Sequence, residues 1–367
     1  MATVDVQQPV AESVRHKSGY PAAGARFDLL ATLLAVWVII GIFVDVNAHN
    51  HGRVDNTFFT PWHFLLYSGV AVNGLMFGIA QLRHVNQSYA WSRSLSKGYF
   101  LSLVGVIVFG FAGGFDFLWH SLFGFEANLE ALLSPAHLLL AVGAVLFMVG
   151  PLRALWGRDE VQTGWRALYP AIVSALITMA LLTMFTQFSN VMAGPDLFAG
   201  RYGPSGDRYL RDTVLASNAL IPTVIIMGTL LLLLRRWTLP VGAVTVMLTV
   251  HAAMMFWLRI GQIGEFWPVL LSALGAGIVG DVILLRLKPS MHSVGALRLF
   301  AFMVPLVYFL LFFVSLLATV GLWWTIHMWL GVTFMAAVTG FGLSYLVVPP
   351  AIPGKAMLLN ETNSTPD

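Results

Sequence analysis

Long apolar runs, each closed by a short polar stretch, recur from one end of the chain to the other. Hydrocarbon is crossed by about 20 helical residues, and a helix satisfies its own backbone there. Spans are therefore expected near 26–47, 61–82, 98–119, 135–156, 166–189, 212–234, 239–258, 266–287, 296–319 and 322–347. The expected fold class is all-α, a polytopic transmembrane helix bundle of about ten spans. Gly321 and a Trp pair are almost all that separates the last two. Residues 1–25 read as a cytoplasmic N-terminal tail, 26–349 as the transmembrane bundle, and 350–367 as a disordered cytoplasmic tail. No cleaved signal peptide is expected, because the run from Phe27 is too long and lacks a cleavage site.

Lys and Arg sort the loops into two sides. Arg15, Lys17 and Arg26 precede the first span; Arg83, Arg93 and Lys97 follow the second. Arg153, Arg158 and Arg166, then Arg235 and Arg236, then Arg286, Lys288 and Arg298 mark the fourth, sixth and eighth loops. The odd-numbered loops hold Arg53, none in the third, Arg201, Arg208 and Arg211 in a long fifth loop, and Arg259. The expected topology has both termini in the cytoplasm and the odd loops outside.

Composition agrees with the pattern. The 367 residues are 58% hydrophobic and 10% charged, with a mean hydropathy of +0.79. Soluble domains carry about 25% charged residues, so this chain cannot cover a surface facing water on all sides. The expected setting is the lipid bilayer, as an integral protein of a bacterial cytoplasmic (inner) membrane. A net charge of +3 points to no nucleic acid, and homo- and hetero-oligomers both stay open. With no cysteine, thiolate metal sites, disulfides and Cys nucleophiles are excluded. There is no phosphate-cradling Gly loop and no nucleophile elbow.

Against this oily background one polar device appears twice. DVNAHNHGRVDNTFFTPWH runs from Asp45 to His63, and FDFLWHSLFGFEANLEALLSPAH from Phe115 to His137. Each has Asp, then His four residues later, a polar loop, and a hydroxyl residue, Pro, any residue, His. The two copies fall in hairpins 26–82 and 98–156, the first four spans. Asp and His at i and i+4 share a helix face, about 6 Å apart along the axis. Both pairs fall in the last turns of outward-running helices, where the dipole disfavours a carboxylate unless a cation is near. Thr60-Pro61-Trp62-His63 and Ser134-Pro135-Ala136-His137 read as N-cap, N1, N2 and N3. A positive helix end keeps an imidazole neutral and able to ligate.

Asp45, His49 and His63, and Asp116, His120 and His137, are thus candidate metal-ligand sets near the outer face. One carboxylate with two imidazoles suits copper, iron or zinc rather than magnesium or calcium; copper is the first expectation. A lone Asp-x-x-x-His is more often a cap or an interhelical hydrogen bond, and it is the repetition that favours metal. His51, Asp55, Glu126 and Glu130 are candidate extra ligands or outer partners. His251 and His327 are candidate site caps or haem ligands, although a single buried His is usually a satisfied core residue. Asp281 reads equally as an ion relay or an interhelical hydrogen bond. Arg259 and Glu265 are expected to pair. The turn-rich fifth loop, GPDLFAGRYGPSGDRY, reads as an idle loop with a lid as the alternative.

Asp-x-x-x-His followed by a second His resembles the triad of the copper-binding membrane protein found in particulate methane and ammonia monooxygenases. The matching positions are Asp45, His49 and His63, and Asp116, His120 and His137. Here the motif is doubled, the second spacing is longer, and ten spans exceed what that protein needs. The resemblance implies copper and oxidation of a small apolar substrate arriving through the bilayer, with no catalytic residue assigned. The expectation is an integral membrane metalloprotein and oxidoreductase. Its rivals are a metal or ion permease using the same residues, a haem protein, and a hydrolase using zinc-activated water.

Overall fold

The computed structural model describes residues 16–350 apart from 23, 54–56, 58, 125–128, 161, 203–206 and 260–263. Most of the 1–25 tail, residues 351–367 of the C-terminal tail, Asp55 and Glu126 lie outside the described residues. Twelve α-helices follow the apolar runs: α1 Ala25–Asn50, α2 Pro61–Val85, α3 Phe100–Phe123, α4 Leu129–Leu133, α5 Pro135–Met148, α6 Gly150–Trp156, α7 Trp165–Phe185, α8 Arg208–Arg236, α9 Ala243–Arg259, α10 Leu270–Leu287, α11 Val294–Thr319 and α12 Ile326–Val347. Among the described residues nine spans are long and apolar enough to cross a bilayer, with α5 and α6 forming one of them; α9 is a shorter apolar tenth. The fold is an all-α helix bundle of a membrane protein.

Spans adjacent in sequence pack as antiparallel hairpins. α1 lies on α2, α3 on α5, and the second half continues α9–α10–α11–α12 until α8 closes against α12. A glycine sets the approach in each of the first two hairpins. A Cβ at Gly41 would stand 2.6 Å from the Cα of Leu66, and one at Gly143 would stand 2.7 Å from the amide of Phe109. Small residues at such crossings replace the hydrophobic drive that lipid does not supply.

The fourth span is broken between Met148 and Gly150 because Pro151 has no N–H to give the carbonyl of Phe147. Neighbours take up the freed carbonyls: Ser102 Oγ reaches Phe147 O at 3.4 Å, Ser174 Oγ donates to Met148 O at 2.5 Å, and Arg153 Nη2 donates to Leu146 O at 2.5 Å. The break thereby ties α3, α7 and α6 together.

Each end of the bundle has its own polar clasp. At the end holding the C-terminus of α1, Asn47 Nδ2 donates to Trp257 O at 2.8 Å. Asn50 Nδ2 donates to Leu258 O at 3.0 Å and to Gln187 Oε1 at 2.8 Å. At the opposite end the buried carboxylate of Asp28 accepts from Tyr99 Oη at 2.7 Å and pairs with Arg158. Arg236 Nη2 in turn donates to Arg158 O at 2.6 Å. Burial, and then the Asp28 carboxylate, push the Tyr99 phenol above its ordinary range, so it stays a donor.

Three sequence expectations are sharpened here. Asp281 is not laid out as a relay: it accepts from the backbone N–H groups of Val244 and Thr245, at 3.3 and 3.0 Å, and from Thr245 Oγ1 at 2.5 Å. It caps the start of α9 from a neighbouring helix, where the dipole favours its charge. Glu265 pairs with Arg201 rather than with the expected Arg259. The fifth loop is pinned: Gly200 N donates to Gly321 O at 3.1 Å, and Trp323 Nε1 to Leu197 O at 2.9 Å.

Replacing Arg158 with Ala leaves the Asp28 carboxylate buried without its cation. The expected cost is on the order of 2–3 kcal/mol, read as a lower midpoint of thermal unfolding in detergent. An unchanged midpoint would show that the clasp does not hold this end together.

Candidate metal centre

The two doubled motifs converge as the helix chemistry requires. Thr60 and Ser134 are N-caps whose hydroxyls accept from the backbone N–H of His63 and His137, each at 3.3 Å, with Pro61 and Pro135 beginning the helices. This fixes both histidines in the first turn, facing the last turns of α1 and α3. His49 Nε2 and His63 Nε2 stand 3.8 and 3.3 Å from Asp45 Oδ1. His120 Nε2 and His137 Nε2 stand 3.4 and 3.5 Å from Asp116 Oδ1. Within each set the candidate donor atoms all lie within 4.8 Å of one another.

Those separations are short enough for one ion to be shared within each set. Two donors on a tetrahedral ion with bonds of about 2.1 Å lie about 3.4 Å apart; three of the four carboxylate–imidazole separations fall at 3.3–3.5 Å, and the His49 pair is wider at 3.8 Å. The buried Oδ1 of Asp116 accepts no hydrogen bond, although two ring nitrogens face it. Asp116 is 2% exposed, sits in the last two turns of α3 and has no Lys or Arg ion pair among the described residues. The three side chains leave a place between them that a cation could occupy. The donor set fits a transition metal.

Outer partners orient the rings. His120 Nδ1 lies 3.3 Å from Gly124 O, and its Nε2 faces Asp116. Gly124 ends α3 at φ 81 and ψ −178, a conformation open in practice only to glycine, so its carbonyl can turn back. His137 Nδ1 lies 2.8 Å from Ser134 Oγ, so the cap also holds the ring. The first set is more open: Asp45, His49 and His63 side chains are 15, 33 and 11% exposed.

The other candidates stand apart from these sets. His51 is exposed and donates from Nδ1 to Asn47 O at 2.7 Å. Glu130 is exposed on α4, and His327 is exposed at the start of α12, which packs on α8 and α11. His251 is buried, with Nε2 held 2.8 Å from Thr183 Oγ1. One residue missed in the sequence is Tyr67, four positions after His63 and therefore on its face; that spacing was the available signal.

Compared with known proteins, the chain matches no family model, no curated protein and no solved structure.

Ser134→Ala removes both the cap of α5 and the group beside His137 Nδ1. Metal affinity of the Asp116 set should fall about 10–100-fold, with about 1 kcal/mol lost from stability. The Asp45 set should lose none of its affinity. Chelator competition on purified protein reads both sets; equal affinities with and without Ser134 would show that the hydroxyl does not orient the ring.

Proposed function

We propose that the protein is an integral membrane oxidoreductase whose two Asp/His/His sets hold transition metal ions, copper foremost, near the extracytoplasmic face. The observation that carries this reading is the convergence of both trios at ligand spacing from two separate hairpins. Two imidazoles and one carboxylate fill part of a coordination sphere and leave positions open for a small molecule. The loop charges favour an extracytoplasmic position for these helix ends. The motif resemblance to the copper-binding membrane protein of particulate monooxygenases supports the choice of metal and chemistry.

Bound copper or iron would supply the one-electron chemistry by which O2 oxidises a small apolar molecule. One oxygen atom enters the substrate, the other leaves as water, and an external donor provides two electrons and two protons. The chain's residues hold the reactants. Phe64, Phe117, Leu118 and Leu138, beside the ligands in sequence, are exposed on the apolar surface, which favours approach from within the bilayer. Asp116, buried and facing two imidazoles, holds that set together.

The rival permease reading needs a polar route inward from the sites. Its main support, Asp281, is engaged in capping α9.

Metal analysis of purified wild type beside His49→Ala and His120→Ala tests the proposal. Each variant should lose the ion of its own set and retain the other, and oxygen consumption with a small apolar compound should fall by at least about 100-fold in one or both. Equal metal content in all three proteins would end the metal reading. Metal uptake into sealed vesicles without oxygen consumption would replace the enzyme with a permease.

A further inference from the structure

Tyr67 stands between the two sets of ligands, and holding a metal does not require it there. On α2 it follows His63 by one turn, and the two rings meet edge to face with centroids 6.0 Å apart. Its other side fills a notch in α3 at Gly113, three residues before Asp116. A Cβ at Gly113 would stand 2.7 Å from Tyr67 Cε1 and 2.9 Å from its phenol oxygen. Phe109 closes a further side, its ring centroid 6.2 Å away. The phenol oxygen thus sits at a notch one helical turn before Asp116, while the ring rests on His63, whose Nε2 is 3.3 Å from Asp45 Oδ1.

We propose that Tyr67 is a positioning residue shared by the two sets, through which a cation held by one weakens the binding of a cation by the other. The proposal rests on the metal reading above. The O–H dipole of the phenol is drawn by two carboxylates. A cation on either set cancels the pull of that carboxylate and turns the dipole toward the remaining one. The positive end of the dipole then faces the set still to be filled, in a setting where water screens it poorly. The effect is reciprocal, because a coupling free energy belongs to the pair of sites. Edge-to-face packing on His63 carries the same change into the ring of a ligand.

The test uses Co2+ as the probe on full-length protein in detergent, reading its visible absorption. The affinity of the Asp116 set is measured in otherwise intact protein, where the first set fills as well, and in His49→Ala, where it does not. The ratio of the two affinities is the coupling, expected to be at least about fivefold. Tyr67→Phe keeps the ring on His63 and in the Gly113 notch but removes the dipole. There the ratio should fall toward the remainder left by direct repulsion between ions. The band of the Asp116 set should also stop shifting as the first set fills. Gly113→Ala, which forces the ring from its notch, should lower the ratio in the same way and serves if Tyr67→Phe folds poorly. Two bound ions with the wild-type ratio intact in both variants would overturn the role of Tyr67 while leaving the metal reading standing. No Co2+ bound by wild type would instead remove the metal reading itself.

Discussion

An ionised carboxylate inside an apolar bundle must be met by something positive, and the structure can be read as the set of answers to that demand. Asp28 is answered by Arg158 and the phenol of Tyr99, which closes one end of the bundle. Asp281 is answered by the N-terminal backbone of α9. In both cases the compensation is complete within the chain, and the role is architectural. Asp45 and Asp116 are each faced by two imidazoles instead. A histidine is a weak and conditional counter-ion, and these two places are the ones that could hold a metal ion.

The helical hairpin is the unit that makes the difference. One helix brings Asp and His one turn apart, and the returning helix begins with a hydroxyl cap and Pro, so its third residue faces them. Cap, proline and histidine together specify where an imidazole nitrogen goes without any long-range fold information. Using the device twice in adjacent hairpins puts two such places at one end of the bundle. There Asn47 and Asn50 lock α1 to the ends of α9 and α7.

Much of this was legible in the sequence because its physics is local. Apolar run length gave the spans, and the spacing in Asp-x-x-x-His and in Thr-Pro-x-His or Ser-Pro-x-His gave faces and caps. What was not legible depended on partners distant in the chain. Nothing local distinguishes Asp281 as a cap from Asp281 as a relay, since its donors lie 36 and 37 residues away. Glu265 chose Arg201, 64 residues distant, over the nearer Arg259. Tyr67 looked like one more aromatic in an aromatic-rich chain, and only the notch at Gly113 set it apart.

The apolar wall beside the ligands has a consequence of its own. Phe64 is 76% exposed and Phe117 51%, so in a bilayer these rings meet acyl chains. A molecule that reaches the imidazoles past them has first dissolved in lipid. Each added methylene favours that transfer by about 0.8 kcal/mol, close to fourfold in local concentration. Dose dependence judged against the aqueous phase would then track oil solubility along a homologous series, even with a pocket indifferent to chain length. Much of the apparent selectivity would belong to the solvent in which the protein sits.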